Sequence, residues 1–362
     1  MFDSPALATL RRFMLGLALA SLAGCSSVGY YWQSTSGHLA LMQAARPVGD
    51  WLQDPASTEA LKSRLLLAQD IRRFAATELH LPDNASYQRY ADLQRKAAVW
   101  NVVAAPELSL KLQPWCFPVV GCVDYKGYFD EAAAEREGAQ WRAQGLDVSV
   151  YPVPAYSTLG WMNWAGGDPL LNTFINYPEG ELARLIFHEL AHQVVYVSGD
   201  TTFNESFATA VERLGTARWL AAQASPGAQA QYAHSRQRRQ QFRALTLDLQ
   251  RTLRVIYAET DEDAEVTPLR SQAEQRTQKA AALSAFRQRY AELKTSWDGF
   301  AGYDAWVART NNASLGALSA YDQLVPDFEA LFEHKGRDWP RFYAAVKRIA
   351  ALPKAERYAA LR

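Results

Sequence analysis

His188-Glu189-Leu190-Ala191-His192 lies inside an apolar helical pattern, and its reading decides how the rest of the chain is taken. In a helix, residues four apart share a face, so His188 and His192 direct both imidazoles at one point. Glu189 stands beside them, where a carboxylate can take a proton from a metal-activated water. Zn2+ suits such a group, because catalytic zinc is commonly held by two His and one carboxylate with one position open. The flanking residues predict the helix itself. Pro178 fits its first position, Glu179 and Glu181 put negative charge in its first turn, and Gly199 is the expected stop. Leu182, Leu185, Ile186, Leu190 and Val194 form the buried face. The plainer alternative is a buried His pair with no metal.

The third ligand is expected on the next helix, in Thr201-Thr202-Phe203-Asn204-Glu205-Ser206-Phe207-Ala208. Two rivals stand against Glu205 as ligand. Thr202-x-x-Glu205 also fits a capping box, and Glu212, two turns further along the same face, is a second carboxylate. Glu205 is taken as the ligand and Glu212 as the outer partner of a ligand His.

His188-Glu189-x-x-His192 followed by Asn204-Glu205-x-Phe207-Ala208 resembles the gluzincin metallopeptidases, the thermolysin and aminopeptidase N type. The connection here, residues 193–204, is shorter than in those families, which calls for a tight helical hairpin. The whole chain resembles a bacterial family of predicted aminopeptidases, zinc lipoproteins by sequence. Leu22-Ala23-Gly24-Cys25, Trp115-Cys116-Phe117-Pro118 with Gly121-Cys122, Ala155-Tyr156-Ser157-Thr158-Leu159-Gly160-Trp161 and Asn311-Asn312-Ala313 carry that likeness. It implies a zincin-like α+β fold in which a small sheet precedes the His-bearing helix and lends an edge to extended peptide. It also implies a tyrosine donor for the oxyanion, with Tyr156 and Tyr321 as candidates. The G-x-M-E-N segment by which aminopeptidase N relatives bind a free amine has no counterpart in this sequence.

Composition bounds these readings. The 362 residues are 49% hydrophobic and carry 38 basic against 38 acidic side chains, so a large core is affordable and the electrostatic footprint of a nucleic-acid partner is missing. Arg11 and Arg12, the apolar run from Phe13 to Ala20, and small residues before Cys25 resemble a lipoprotein signal peptide over residues 1–24. Acylated Cys25 then anchors the chain in the bacterial cell envelope, and Ser26 favours the outer membrane, facing the periplasm. With Cys25 so used, Cys116 and Cys122 remain as a pair expected to form a disulfide in an oxidising compartment.

In order along the chain, helices are expected at Ser57 to Leu79, Ala85 to Ala97 and Asp130 to Gln144. Strands are expected at Val99 to Ala104, Leu108 to Leu112 and Asp147 to Val153. Gln229 to Tyr257 and Pro268 to Trp297 read as an antiparallel helical hairpin, and Tyr303 to Arg362 is helical again. Arg236, Arg238 and Arg239 read as a solvated helix face, with an anionic membrane surface as the alternative.

The expected molecule is mostly helical α+β. One metallopeptidase domain spans 25–362: an N-terminal helical part and small sheet (25–176), the zinc-site helices (177–222), and a helical C-terminal part (223–362). The expected function is zinc-dependent hydrolysis of a peptide substrate, of aminopeptidase type, with His188, His192 and Glu205 as ligands and Glu189 as general base. Two alternatives are a non-catalytic zinc-binding scaffold or chaperone at the outer membrane, and a hydrolase of peptidoglycan peptide stems.

Overall fold

The computed structural model describes residues 29–117, 121–161, 163–258, 270–318 and 324–361. Cys25, Tyr321 and the acidic stretch 259–265 lie outside them. The N-terminal part is helical from 29 to 44 (α1), then runs through β1 (Arg46–Pro47), α2 (Val48–Gln53), α3 (Glu59–Glu78) and β2 (Arg89–Ala91). Next come β3 (Val99–Ala105), β4 (Trp115–Phe117), β5 (Gly121–Val123), β6 (Lys126–Tyr128), α4 (Glu131–Ala143), β7 (Asp147–Val153) and β8 (Leu170–Leu171). The remainder is helical: α5 (Glu179–His192), α6 (Thr201–Ala222), α7 (Pro226–Tyr257) and α8 (Gln272–Ser296). Five shorter helices follow, α9 (Asp304–Ala308), α10 (Asn312–Leu318), α11 (Val325–His334), α12 (Trp339–Ala350) and α13 (Lys354–Leu361). The class is α+β, with small sheets among many helices.

Alternation along β3 gives its sheet two different faces. β3 is the middle strand, antiparallel to β6 and β7, with Val102 opposite Val150 and Asn101 opposite Tyr151. Trp100, Val102, Ala104, Val148 and Val150 pack with Ala134 of α4. The other face, with Val99, Asn101, Val103, Tyr151 and Val153, lines a deep cleft. Both edges are partly occupied. Gln33 of α1 donates to Gly127 O (3.4 Å) and accepts from Phe129 N (3.1 Å), while Asn311 donates to Val148 O (2.9 Å). The sheet therefore turns a face to the cleft, where an edge was expected.

The main core joins α3, α5, α6, α11 and α12 through Ile71, Phe74, Leu182, Ile186, Phe187, Phe207, Phe328 and Phe342. A second cluster forms inside the α7–α8 hairpin from Phe242, Leu249, Leu253, Phe286 and Tyr290, and takes in Leu110 and Leu315. Asp147 ties three elements together, accepting from Lys279 Nζ of α8 (2.7 Å) and from the Asn312 backbone at the start of α10 (3.0 Å). The cleft lies between the α5–α6 pair, the open face of the sheet, and α7.

Two expected elements are absent. Ala85 to Ala97 holds turns and the short β2, with Tyr87 and Gln94 at positive φ that no helix tolerates. Gln69 donates to Tyr87 O (2.7 Å) and Arg72 to Ser86 O (2.9 Å), so α3 captures this segment through side chains. Leu108 to Leu112 is a loop whose Leu110 fills the hairpin cluster.

Candidate metal centre

α5 is built as its sequence requires: Leu182, Leu185, Ile186 and Leu190 are buried, and Glu179 and Glu181 occupy its first turn. It ends at His192, earlier than the expected stop at Gly199, with Pro178 as the preceding cap residue. Val194, Val195 and Val197 disfavour another helical turn. Asn204 also holds the connection open, accepting from Val197 N (2.8 Å) and donating to Val197 O (2.7 Å). That side chain explains how so short a connection can join α5 and α6.

α6 starts on Asp200, whose side chain accepts from Phe203 N (3.2 Å). The capping position is thus filled, and Glu205 is free to face α5. Its Oε2 lies 3.3 Å from His188 Nε2 and its Oε1 lies 3.7 Å from His192 Nε2. The two imidazole Nε2 atoms are 3.1 Å apart. Donors bound tetrahedrally at about 2.0–2.2 Å stand about 3.4 Å from one another, so these separations fit one small cation. Two imidazoles and one carboxylate are also the donor set that zinc accepts. His188, His192 and Glu205 therefore form a group able to hold a metal ion.

Behind His188 the next partners are charged. A carboxylate only accepts, so His188 Nδ1 carries the proton that it shares with Glu212 Oε2 (2.9 Å). This leaves the Nε2 lone pair directed at the centre. Arg184 Nη1 donates to both oxygens of Glu212 (2.9 and 3.0 Å) and its Nε to Glu181 (3.1 Å). Burial alone would raise the Glu212 carboxyl, but Arg184 and His188 outweigh it and bring it down to about 2. His192 has no such support: its Nδ1 is buried without a hydrogen-bond partner, and burial lowers the ring to about 4.

Glu189 differs from both other carboxylates. It lines the cleft and has no hydrogen-bond partner among the described residues. Burial pushes it up to about 7.

The model of one protein family, described as "Putative aminopeptidase", matches residues 29–361. The chain belongs to that family. No curated protein and no solved structure matches it. The family description carries a peptidase activity, which fits the donor group and the cleft beside it.

In this member of the family, the cleft has a volume of about 3580 Å³ and contains His188, Glu189, His192 and Glu205 in its lining. Tyr156 also lines it, packed against Phe129 and His38. Of the further tyrosines in the lining, Tyr125, Tyr151 and Tyr196 feel the Glu205 carboxylate and were not singled out in the sequence. Burial and the Glu205 carboxylate raise the phenols of Tyr151 and Tyr196. Tyr151 was legible in principle, since alternation along β7 places it opposite in sense to Val148 and Val150. Tyr125 and Tyr196 sit in irregular segments where no period reveals a face.

Proposed function

We propose that this chain is a zinc-dependent peptide hydrolase of aminopeptidase type, on the gluzincin plan. His188, His192 and Glu205 would hold the zinc and Glu189 would act as general base. The supporting observation is the contrast among four polar side chains that line the cleft. Three converge at 3.1–3.7 Å, and the fourth, Glu189, stands beside them with no partner. A purely structural site needs no such idle carboxylate.

When bound, zinc supplies Lewis-acid chemistry, making a water acidic enough to ionise near neutral pH and polarising a carbonyl oxygen. Glu189 takes the water's proton on its carboxylate and passes it to the leaving amine. Glu212 fixes the tautomer and ring direction of His188, and Arg184 keeps Glu212 ionised for that task. Tyr151, Tyr196 and Tyr156 bring O–H donors to the same cleft, available to a developing oxyanion. The test is Glu189→Gln with zinc content and peptide turnover measured in parallel. Zinc should stay bound while the rate falls roughly 10²–10⁴-fold. Full turnover in the variant would remove Glu189 from the mechanism.

The reading extends to the location of the chain. Residues 1–24 are taken as a lipoprotein signal, Cys25 as the acylated anchor, and 25–362 as one metallopeptidase domain on the periplasmic side of the outer membrane. The Cys116–Cys122 disulfide, which closes the β4–β5 hairpin, fits an oxidising compartment. No described helix is long and apolar enough to cross a membrane. Loss of the acyl anchor in Cys25→Ser should move the protein from the membrane to the soluble fraction, and continued retention would point to another contact.

A further inference from the structure

α7 carries six arginines and one acid, Asp248. The acid is used on the outer side, where it pairs with Arg251 (3.0 Å) and with Arg289. In the run Arg236 to Arg239, Arg238 lies over the Phe300 ring (4.3 Å), and Arg239 pairs with Glu181 and covers Tyr232. Arg236 and Arg254 are not used in this way. They lie about five helical turns apart on one face and line the same cleft as His188 and Glu189. Neither side chain has a hydrogen-bond or ion-pair partner among the described residues. A purely solvated helix face would not line the cleft, whose other walls include Val99, Asn101 and Tyr151 of the sheet.

We infer that the cleft takes acidic peptides in extended form, with substrate carboxylates seated at Arg236 and Arg254. This rests on the peptide-hydrolase reading and names its substrate class. The dimensions support it. From Arg236 to Arg254 the helix rises about 27 Å, the length of roughly eight residues of extended chain. The cleft volume, about 3580 Å³, is well beyond the 300–1,000 Å³ typical of a small-molecule pocket. Guanidinium groups pair with carboxylates in a fork geometry, and two on one wall favour a chain bearing more than one of them.

The test compares two ten-residue peptides that differ only in three Glu against three Gln. The purified chain should favour the acidic peptide roughly ten-fold in kcat/KM at low salt, and less as ionic strength rises. The double variant Arg236→Gln/Arg254→Gln should bring the ratio near one, whereas Arg251→Gln on the outer side should keep it. If the double variant folds poorly by circular dichroism, the single variants should each remove part of the preference. A native ratio near one, or a ratio unchanged in the variants, overturns the inference. Anisotropy of the same labelled peptides on Glu189→Gln separates the two claims. Selective binding that the arginine variants abolish, with no peptide cut by the native chain, removes the hydrolase reading and keeps this one. Cleavage without preference does the reverse, and neither binding nor cleavage removes both. Loss of binding to phosphatidylglycerol vesicles in the double variant, with the peptide ratio intact, would assign the two arginines to a membrane surface and overturn it.

Discussion

Glu205 and Glu212 lie two turns apart on one helix face, yet their neighbours give them opposite tasks. Glu205 faces both imidazole Nε2 atoms, while Glu212 meets only His188 Nδ1 and the Arg184 guanidinium. A group already saturated by an arginine and an imidazole N–H has little left to offer a cation. Glu212→Gln should therefore lower metal affinity about 10–100-fold, since it loosens a ligand without removing one. Glu205→Gln should cost more than that. Zinc titration against a competing chelator measures both, and a larger loss in Glu212→Gln would exchange the two roles. At this scale the spacing of His188, Glu189 and His192 was open to reading, because helix geometry alone places such residues. The choice between Glu205 and Glu212 was not, since both satisfy that geometry. It depends on Asp200 rather than Thr202 taking the cap, a local contact, and on Arg184 of α5 taking Glu212, a contact between two helices.

At the scale of elements, the long periodic segments were legible and the captured ones were not. α3, α5, α6, α7 and α8 follow their apolar spacing, and β7 falls where alternation put it. Ala85 to Ala97 and Leu108 to Leu112 failed because their backbone is held by distant side chains, such as Gln69 and Arg72, or by a neighbouring cluster. The join between α4 and β6 can be tested in the same terms. Glu137 accepts from Tyr128 Oη (2.9 Å) and Trp141 Nε1 (3.0 Å), and Lys126 Nζ lies 3.2 Å away. Burial would raise this carboxyl, but those donors outweigh it and hold it below its usual value. A depressed carboxylate contributes its stability above the unfolded-state pKa, about 4.3, and loses it as pH falls through the folded value. Glu137→Gln should thus lower stability by about 1–2 kcal/mol at pH 7. The gap from the native chain should narrow below about pH 4. Urea unfolding at both pH values reads it out, and a gap independent of pH would mean that the charge plays no part.

At the scale of the whole molecule, the last helix closes onto the start of the ligand-bearing one. Arg357 of α13 pairs with Asp200, Tyr358 Oη donates to the other oxygen of Asp200 (2.9 Å), and Asp200 in turn caps α6. Arg357 is 6% exposed and Asp200 3%, so the pair is buried. Removing one partner of a buried pair leaves an uncompensated charge and costs about 3–5 kcal/mol, more than the pair contributes against an apolar replacement. Arg357→Met should lower stability by that amount, and it should weaken metal affinity although no ligand is touched, because the first turn of α6 holds Glu205. Adding Asp200→Asn removes the stranded charge while retaining a side chain able to cap α6. The double variant should then lose less than the sum of the two single losses. Denaturant unfolding of the three variants, each paired with a zinc titration, decides the matter. If Arg357→Met costs under about 1 kcal/mol, or the losses simply add, the C-terminal helix is not coupled to the site through Asp200.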